Sequence, residues 1–110
     1  MALPEIELHR VIGLLGVFCE ERTGDAVLLE YAIRGNRVTL TESRPLFIDP
    51  SVWNRVNVAQ FEFDPENRIW VLYWYDRRNR RQPYPTGRNR DTLEKLMVEL
   101  VNDPTGIFWD

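Results

Sequence analysis

Ile69-Trp-Val-Leu-Tyr-Trp-Tyr75 is an unbroken run of seven apolar or aromatic residues. Its length and its β-branched and aromatic content predict a central strand covered on both faces. Alternation sends Trp70, Leu72 and Trp74 one way and Ile69, Val71, Tyr73 and Tyr75 the other. Asp64-Pro-Glu-Asn67 precedes the run and Asp76-Arg-Arg-Asn79 follows it. In each, Asp opens a turn and Asn stands where left-handed backbone is wanted. The pattern predicts antiparallel strands over 57–63, 68–75 and 80–84. Two registers are open for the first pair. A four-residue loop sets Phe61 opposite Trp70, whereas a bulge at Asn67 sets it opposite Val71 and reverses the face it shares.

Upstream, Gly35-Asn36 separates two alternating segments, 27–34 and 37–46, and is a two-residue loop that suits right-handed strand twist. It pairs Ile33 with Val38 and Tyr31 with Leu40. Leu29, Tyr31, Ile33, Val38 and Leu40 then share one face. Pro45 and Pro50 bracket a connector, 47–55, in which Trp53 is expected to pack as a lid. At the N-terminal end, Leu8, Val11, Ile12, Leu15, Phe18 and Cys19 recur at helical spacing. Pro4, Glu5 and Glu7 mark a helix start, and Thr23-Gly24-Asp25 marks its end. Gly13 and Gly16 inside this helix each cost about 1 kcal/mol against Ala, and close approach to a strand is the expected reason for them. A second helix carries Leu93, Leu96, Met97, Leu100 and Val101 as its stripe, with Asp91 and Glu94 as a capping box and Asn102-Asp103-Pro104 as its stop. Ile107-Phe-Trp109 is too apolar for a loose tail and is expected to fold back on the core. Helix, five short strands and helix make an α+β, two-layer domain over 1–110, with both helices on one face of an antiparallel sheet.

The 110 residues suffice for one domain that buries about two-thirds of its unfolded surface. Val11 to Cys19 could pass for a secretion-signal core. The preceding Glu5 and Glu7 and bulky Phe18 argue against it, no run approaches a membrane span, and a single cysteine forbids an internal disulfide. A cytoplasmic location follows as the expectation, without a membrane partner. Charge is uneven behind a net value of −3. Arg77, Arg78, Arg80, Arg81, Arg88 and Arg90 fall within 77–90 with no acid among them, leaving 8 basic against 17 acidic residues elsewhere.

Candidate chemistry is sparse. His9 and Cys19 lie ten residues apart on one helix, about 15 Å of rise, too far to act as base and nucleophile together. Zinc ligands, a Walker loop and a dinucleotide-binding glycine pattern are all missing, so no cofactor or metal is expected. Glu42 is the candidate functional carboxylate. Alternation carries it onto the apolar side after Val38 and Leu40, where burial should raise its pKa unless Arg44 pairs with it.

Glu-Ser-Arg-Pro45, Val58-Ala-Gln-Phe61, Trp70-Val-Leu-Tyr-Trp74 with Asp76, and the terminal Asp103-Pro-Thr-Gly-Ile-Phe-Trp109 resemble a family of short bacterial proteins catalogued as a domain of unknown function. The likeness spans nearly the whole chain and implies a stand-alone, single-domain protein with no assigned activity. Where that family's pattern carries an aromatic, this chain has Arg81, which implies a different edge strand. Two functional expectations stand side by side. One is a non-enzymatic interaction module that binds a protein partner or a second copy. The other is weak, sequence-tolerant nucleic-acid binding, with the six arginines of 77–90 tracking phosphates.

Overall fold

A computed structural model describes residues 2–109. Its elements run α1 (Glu5–Arg22), β1 (Leu28–Arg34), β2 (Arg37–Pro45), β3 (Trp53–Asp64), β4 (Ile69–Tyr75), β5 (Arg81–Pro83), β6 (Arg90–Asp91) and α2 (Leu93–Asn102). The strands form one antiparallel sheet in the order β1-β2-β3-β4-β5, and β6 shares the outer edge of β4 with β5. Both helices lie on one face, α1 against β1 and α2 against β4, and they touch each other. This is the expected α+β arrangement. None of the described helices is long and apolar enough to cross a membrane.

The core forms where the helical stripes meet the inward positions of the strands. Val11, Leu15 and Phe18 of α1 and Leu93, Leu96 and Leu100 of α2 close over Val38, Leu40, Ala59, Phe61, Phe63, Trp70 and Leu72. The β1–β2 hairpin has the predicted register, Ile33 opposite Val38 and Tyr31 opposite Leu40. Gly35 alone in its loop has positive φ, 62°, as a II′ turn requires. The β3–β4 register differs from both alternatives: Phe61 faces Leu72, Phe63 faces Trp70, and the four loop residues are 65–68. Arg68, not Asn67, takes the left-handed position, at φ 52°. Asn67 is held instead by Asp64, whose carboxylate accepts its backbone and side-chain N–H groups. A shift of two residues keeps Phe61 on the face of Trp70, so the core is the one a four-residue loop predicts.

Three further expectations need correction. Thr92 caps α2, accepting from the Lys95 amide at 3.3 Å, because pairing with Trp70 keeps Asp91 in an extended strand. Glu94 therefore completes no capping box. Gly13 has nothing within 4 Å of an added Cβ, and Gly16 would meet only the Tyr31 hydroxyl at 3.8 Å, so neither marks a close approach. Residues 47–55 form no lid: the chain rises from β2, turns, and returns as the start of β3. The molecule is correspondingly elongated, 47 × 27 × 24 Å.

The C-terminal segment packs as expected. Asp103 ends α2 in a left-handed conformation, φ 45°, and its carboxylate accepts the amides of Phe108 and Trp109 at 3.2 and 2.9 Å. Phe108 is buried and stacks on Tyr84 at 5.4 Å between ring centres. The Trp109 indole donates to the Leu100 carbonyl at 2.8 Å.

Candidate interaction surface

Four of the six arginines of 77–90 pair with carboxylates. Arg80 lies 3.5 Å from the Asp76 carboxylate, Arg88 3.9 Å from Glu99 and Arg90 2.8 Å from Asp64. Arg81 is the most engaged. It donates to Gln60 at 2.9 Å and to Glu62, and its guanidinium lies 3.8 Å from the centre of the Tyr73 ring. Glu62 also takes Arg37 at 3.1 Å, and Gln60 donates on to Thr39 at 3.0 Å. A polar network thus crosses β2, β3, β4 and β5 on the sheet face opposite the helices, and it holds Arg81 against that face. Arg77 and Arg78 alone of the six make no ion pair among the described residues, and both are exposed in the β4–β5 turn. Asp76 organises that turn, accepting the amides of Arg78 and Arg80 at 2.9 Å each. The Arg80 amide bond, with help from the Gln82 side chain, holds the Asp76 carboxyl below its usual pKa.

Glu42 is half-buried and paired. Arg44 grips it through two bonds, at 3.1 and 3.4 Å, and the exchange raises the guanidinium's pKa further. The pair stands at the wall of a cleft of about 650 Å³ lined by Val56, Val58, Tyr75, Ile107, Phe108 and Trp109. Cys19 lies in the core, its thiol pKa raised by burial and then by Glu30. Among the described residues, no group of three or more His, Cys, Asp or Glu side chains could hold a metal ion.

Sequence reasoning missed Glu7. It reads as a helix-start acid favoured by the macrodipole, yet it is buried, accepting the Trp70 indole N–H at 2.9 Å and Arg10 at 3.1 Å. A tryptophan in a central strand needs an acceptor for its N–H, and that requirement is the one signal that could have pointed to such a carboxylate.

The largest departure from packed order is the extension of β2 and β3. Beyond Ser43, β2 has lost its β1 neighbour, and β3 pairs with β4 only from Ala59 to Asp64. Val58 is the extra residue of a bulge, since Leu40 faces Ala59 while Thr41 faces Asn57. Such a bulge bends and twists the ribbon away from the sheet. The resulting arm carries Phe47 at its tip, 99% exposed, with Ile48 88% exposed, and Val52, Trp53 and Val56 each nearly half exposed. Together these side chains leave on the order of 500–600 Å² of apolar surface in water, shared between the two faces of the ribbon and its tip.

The arm's two edges are unequal. Leu46 donates its amide to the Val52 carbonyl at 2.8 Å, which fixes the alternation along the ribbon. The backbone groups of Arg44 and Asn54 therefore point at each other, and those of Pro45 and of Trp53 and Arg55 point outward. On the β2 side the outward position is Pro45, which has no N–H to offer another strand. On the β3 side Trp53 and Arg55 keep theirs, and neither amide bonds to a turn or loop among the described residues.

The architecture defines a small α+β domain, two helices on one face of an open antiparallel sheet, that carries an apolar two-stranded arm. The chain belongs to the family described as Domain of unknown function (DUF3024), whose model matches residues 3–110. No curated protein and no solved structure matches it.

Proposed function

We propose that this chain is a protein-interaction module of the cytoplasm and that the β2–β3 arm is its docking element. One observation carries the reading. The arm holds Phe47, Ile48, Val52, Trp53 and Val56 in water beside a strand edge that retains its hydrogen-bonding groups. A free edge next to exposed apolar side chains is an aggregation hazard that soluble proteins blunt with charge, proline or a covering element. Here the β2 edge has its proline, whereas the β3 edge, with Arg55 as its charge and Asn57 bonded to Asn79 at its base, keeps the amides of Trp53 and Arg55 free of any turn or loop among the described residues, which suits an edge kept open for a partner.

The nucleic-acid reading draws less support. With Arg80, Arg81, Arg88 and Arg90 answered by carboxylates or by Gln60 and Tyr73, only Arg77 and Arg78 of the six are left for phosphates. Two contacts would give a log–log salt slope of at most about −2.

The test is a photo-activatable phenylalanine analogue placed at Phe47, and in a control at Arg78, in cells that express the protein. An interaction arm gives a covalent adduct at position 47 well above the yield at 78. Equal yields at the two exposed positions would overturn the reading.

A further inference from the structure

We infer that the arm's partner is a second copy of this chain, joined edge to edge through residues 52–56 about a twofold axis at Asn54. The inference rests on the interaction reading above and names its occupant. The open edge runs antiparallel to itself under a twofold rotation, so it can pair with its own copy without any further adaptation. Such a rotation keeps each residue on its own face of the sheet, so the axis must pass through a residue that meets itself. Centres at Trp53, Arg55 and Val56 would each set Asn54 against a valine, Val52, Val56 or Val58 in turn, a polar side chain facing an apolar one. Centring on Arg55 sets two guanidinium groups directly against each other, a destabilising cross-strand pair. Centring on Asn54 places Trp53 against Arg55 on one face and Val52 against Val56 on the other. The first is a cation–π pair and the second an apolar one, so charge and hydropathy both select Asn54.

The same register decides where the tip goes. With Val52 of one copy beside Val56 of the other, the next residues toward the turn lie at the base of the opposite arm. That base holds the cleft of about 650 Å³ walled by Val56, Val58, Tyr75, Ile107, Phe108 and Trp109. Phe47 and Ile48 of each copy thus meet the apolar side chains of this cleft on its partner, a cleft that also carries Glu42, Arg44 and Asn57, twice over by symmetry. With every exposed apolar side chain of both arms covered, the two arms would contribute at most about 1,000–1,200 Å², the lower bound for a specific interface. Trp53 and Arg55 gain partners for their outward amides and carbonyls, and Asn54, whose backbone turns to β2, forms the non-hydrogen-bonded pair on the axis.

That pair supplies the test. Facing Cα atoms of a non-hydrogen-bonded antiparallel pair lie about 4.5 Å apart, within the span a disulfide bridges. Asn54→Cys in the full chain should form a disulfide-linked dimer under mild oxidation. Wild type, whose Cys19 is buried, should form none, and Arg55→Cys should form little. Adding Phe47→Asp and Ile48→Asp should abolish the cross-link without lowering the melting temperature of the monomer. Cross-linking through position 55 in place of 54 overturns the proposed pairing. No cross-link at either position, with a monomer by light scattering at every concentration, overturns the second copy as occupant. In that event, a photo-adduct at Phe47 of some mass other than twice the chain leaves the interaction reading standing, and an absent adduct removes both.

Discussion

Strands β2 and β3 form both the middle of the sheet and the arm, and apolar residues behave oppositely in the two places. In the body, Val38, Leu40, Ala59 and Phe61 are fully buried under the two helices. A few residues further along the same strands, Val56 and Trp53 are nearly half exposed and Phe47 is almost wholly so. The difference is one of neighbours. In the body each strand has a strand on either side and a helix above it; in the arm each has only the other. A two-stranded ribbon without a covering layer is marginal by itself in water. The contrast teaches that apolar content in this chain divides between a share that folds the domain and a share left over for association.

The widest gap should appear when one phenylalanine from each region is truncated. Phe61→Ala opens a cavity at the centre of the sheet and should cost about 3–5 kcal/mol. Phe47→Ala, measured by denaturant titration where the chain is monomeric, should stay within about 0.5 kcal/mol of wild type. Comparable losses would mean the arm belongs to the folding core and would erase the distinction.

A smaller effect should come from Asp76, which ties the turn facing the base of the arm. Its folded-state pKa lies below the ordinary 3.8, chiefly through the Arg80 amide. The ionised form therefore stabilises the fold above pH 3.8, and that contribution is lost as pH falls through the lower folded value. Asp76→Asn should melt below wild type at neutral pH, with the two converging in stronger acid. A difference that persists unchanged at acidic pH would show that charge has no part in holding the turn.

The body leaves room for improvement that the arm does not. Gly13 lies on the exposed side of α1 with nothing near its Cβ direction. Gly13→Ala should raise stability by up to about 1 kcal/mol and leave association untouched. A loss of stability would reveal a packing role for the glycine after all.

How far the sequence foretells this division follows from how local each cause is. Helix α1, the β1–β2 register and the packing of Phe108 and Trp109 come from periodicity, a Gly-Asn turn and plain hydrophobicity, all of them readable within a few residues. The β3–β4 register lies two residues from the one a four-residue loop predicts, because Asp64 captures Asn67 through its side chain and passes the left-handed position to Arg68. The cap of α2 moved to Thr92 because the β4 edge claims Asp91, a contact 21 residues away in sequence. For Glu42 the local pattern leaves two outcomes open, a raised pKa or pairing with Arg44, and the structure has the pairing; the buried carboxylate of Glu7 has no local mark, since its reason is Trp70 on another element. The lid expected of Trp53 rests on the rule that large apolar residues find cover. Cover depends on which strands run alongside, and the bulge at Val58 that carries the arm beyond β1 and β4 has no mark in the local pattern.

The central claim is that the β3 edge of the arm stays open in the monomer and closes against its own copy. Hydrogen exchange at the amides of Trp53 and Arg55, followed across a dilution series, tests it most directly. Both N–H groups point away from β2, so they should exchange freely in dilute solution and gain protection in step with dimer formation. The Asn54 amide, already bonded within the ribbon, should change far less. Exchange at Trp53 and Arg55 that stays fast in samples shown to be dimeric would contradict the account.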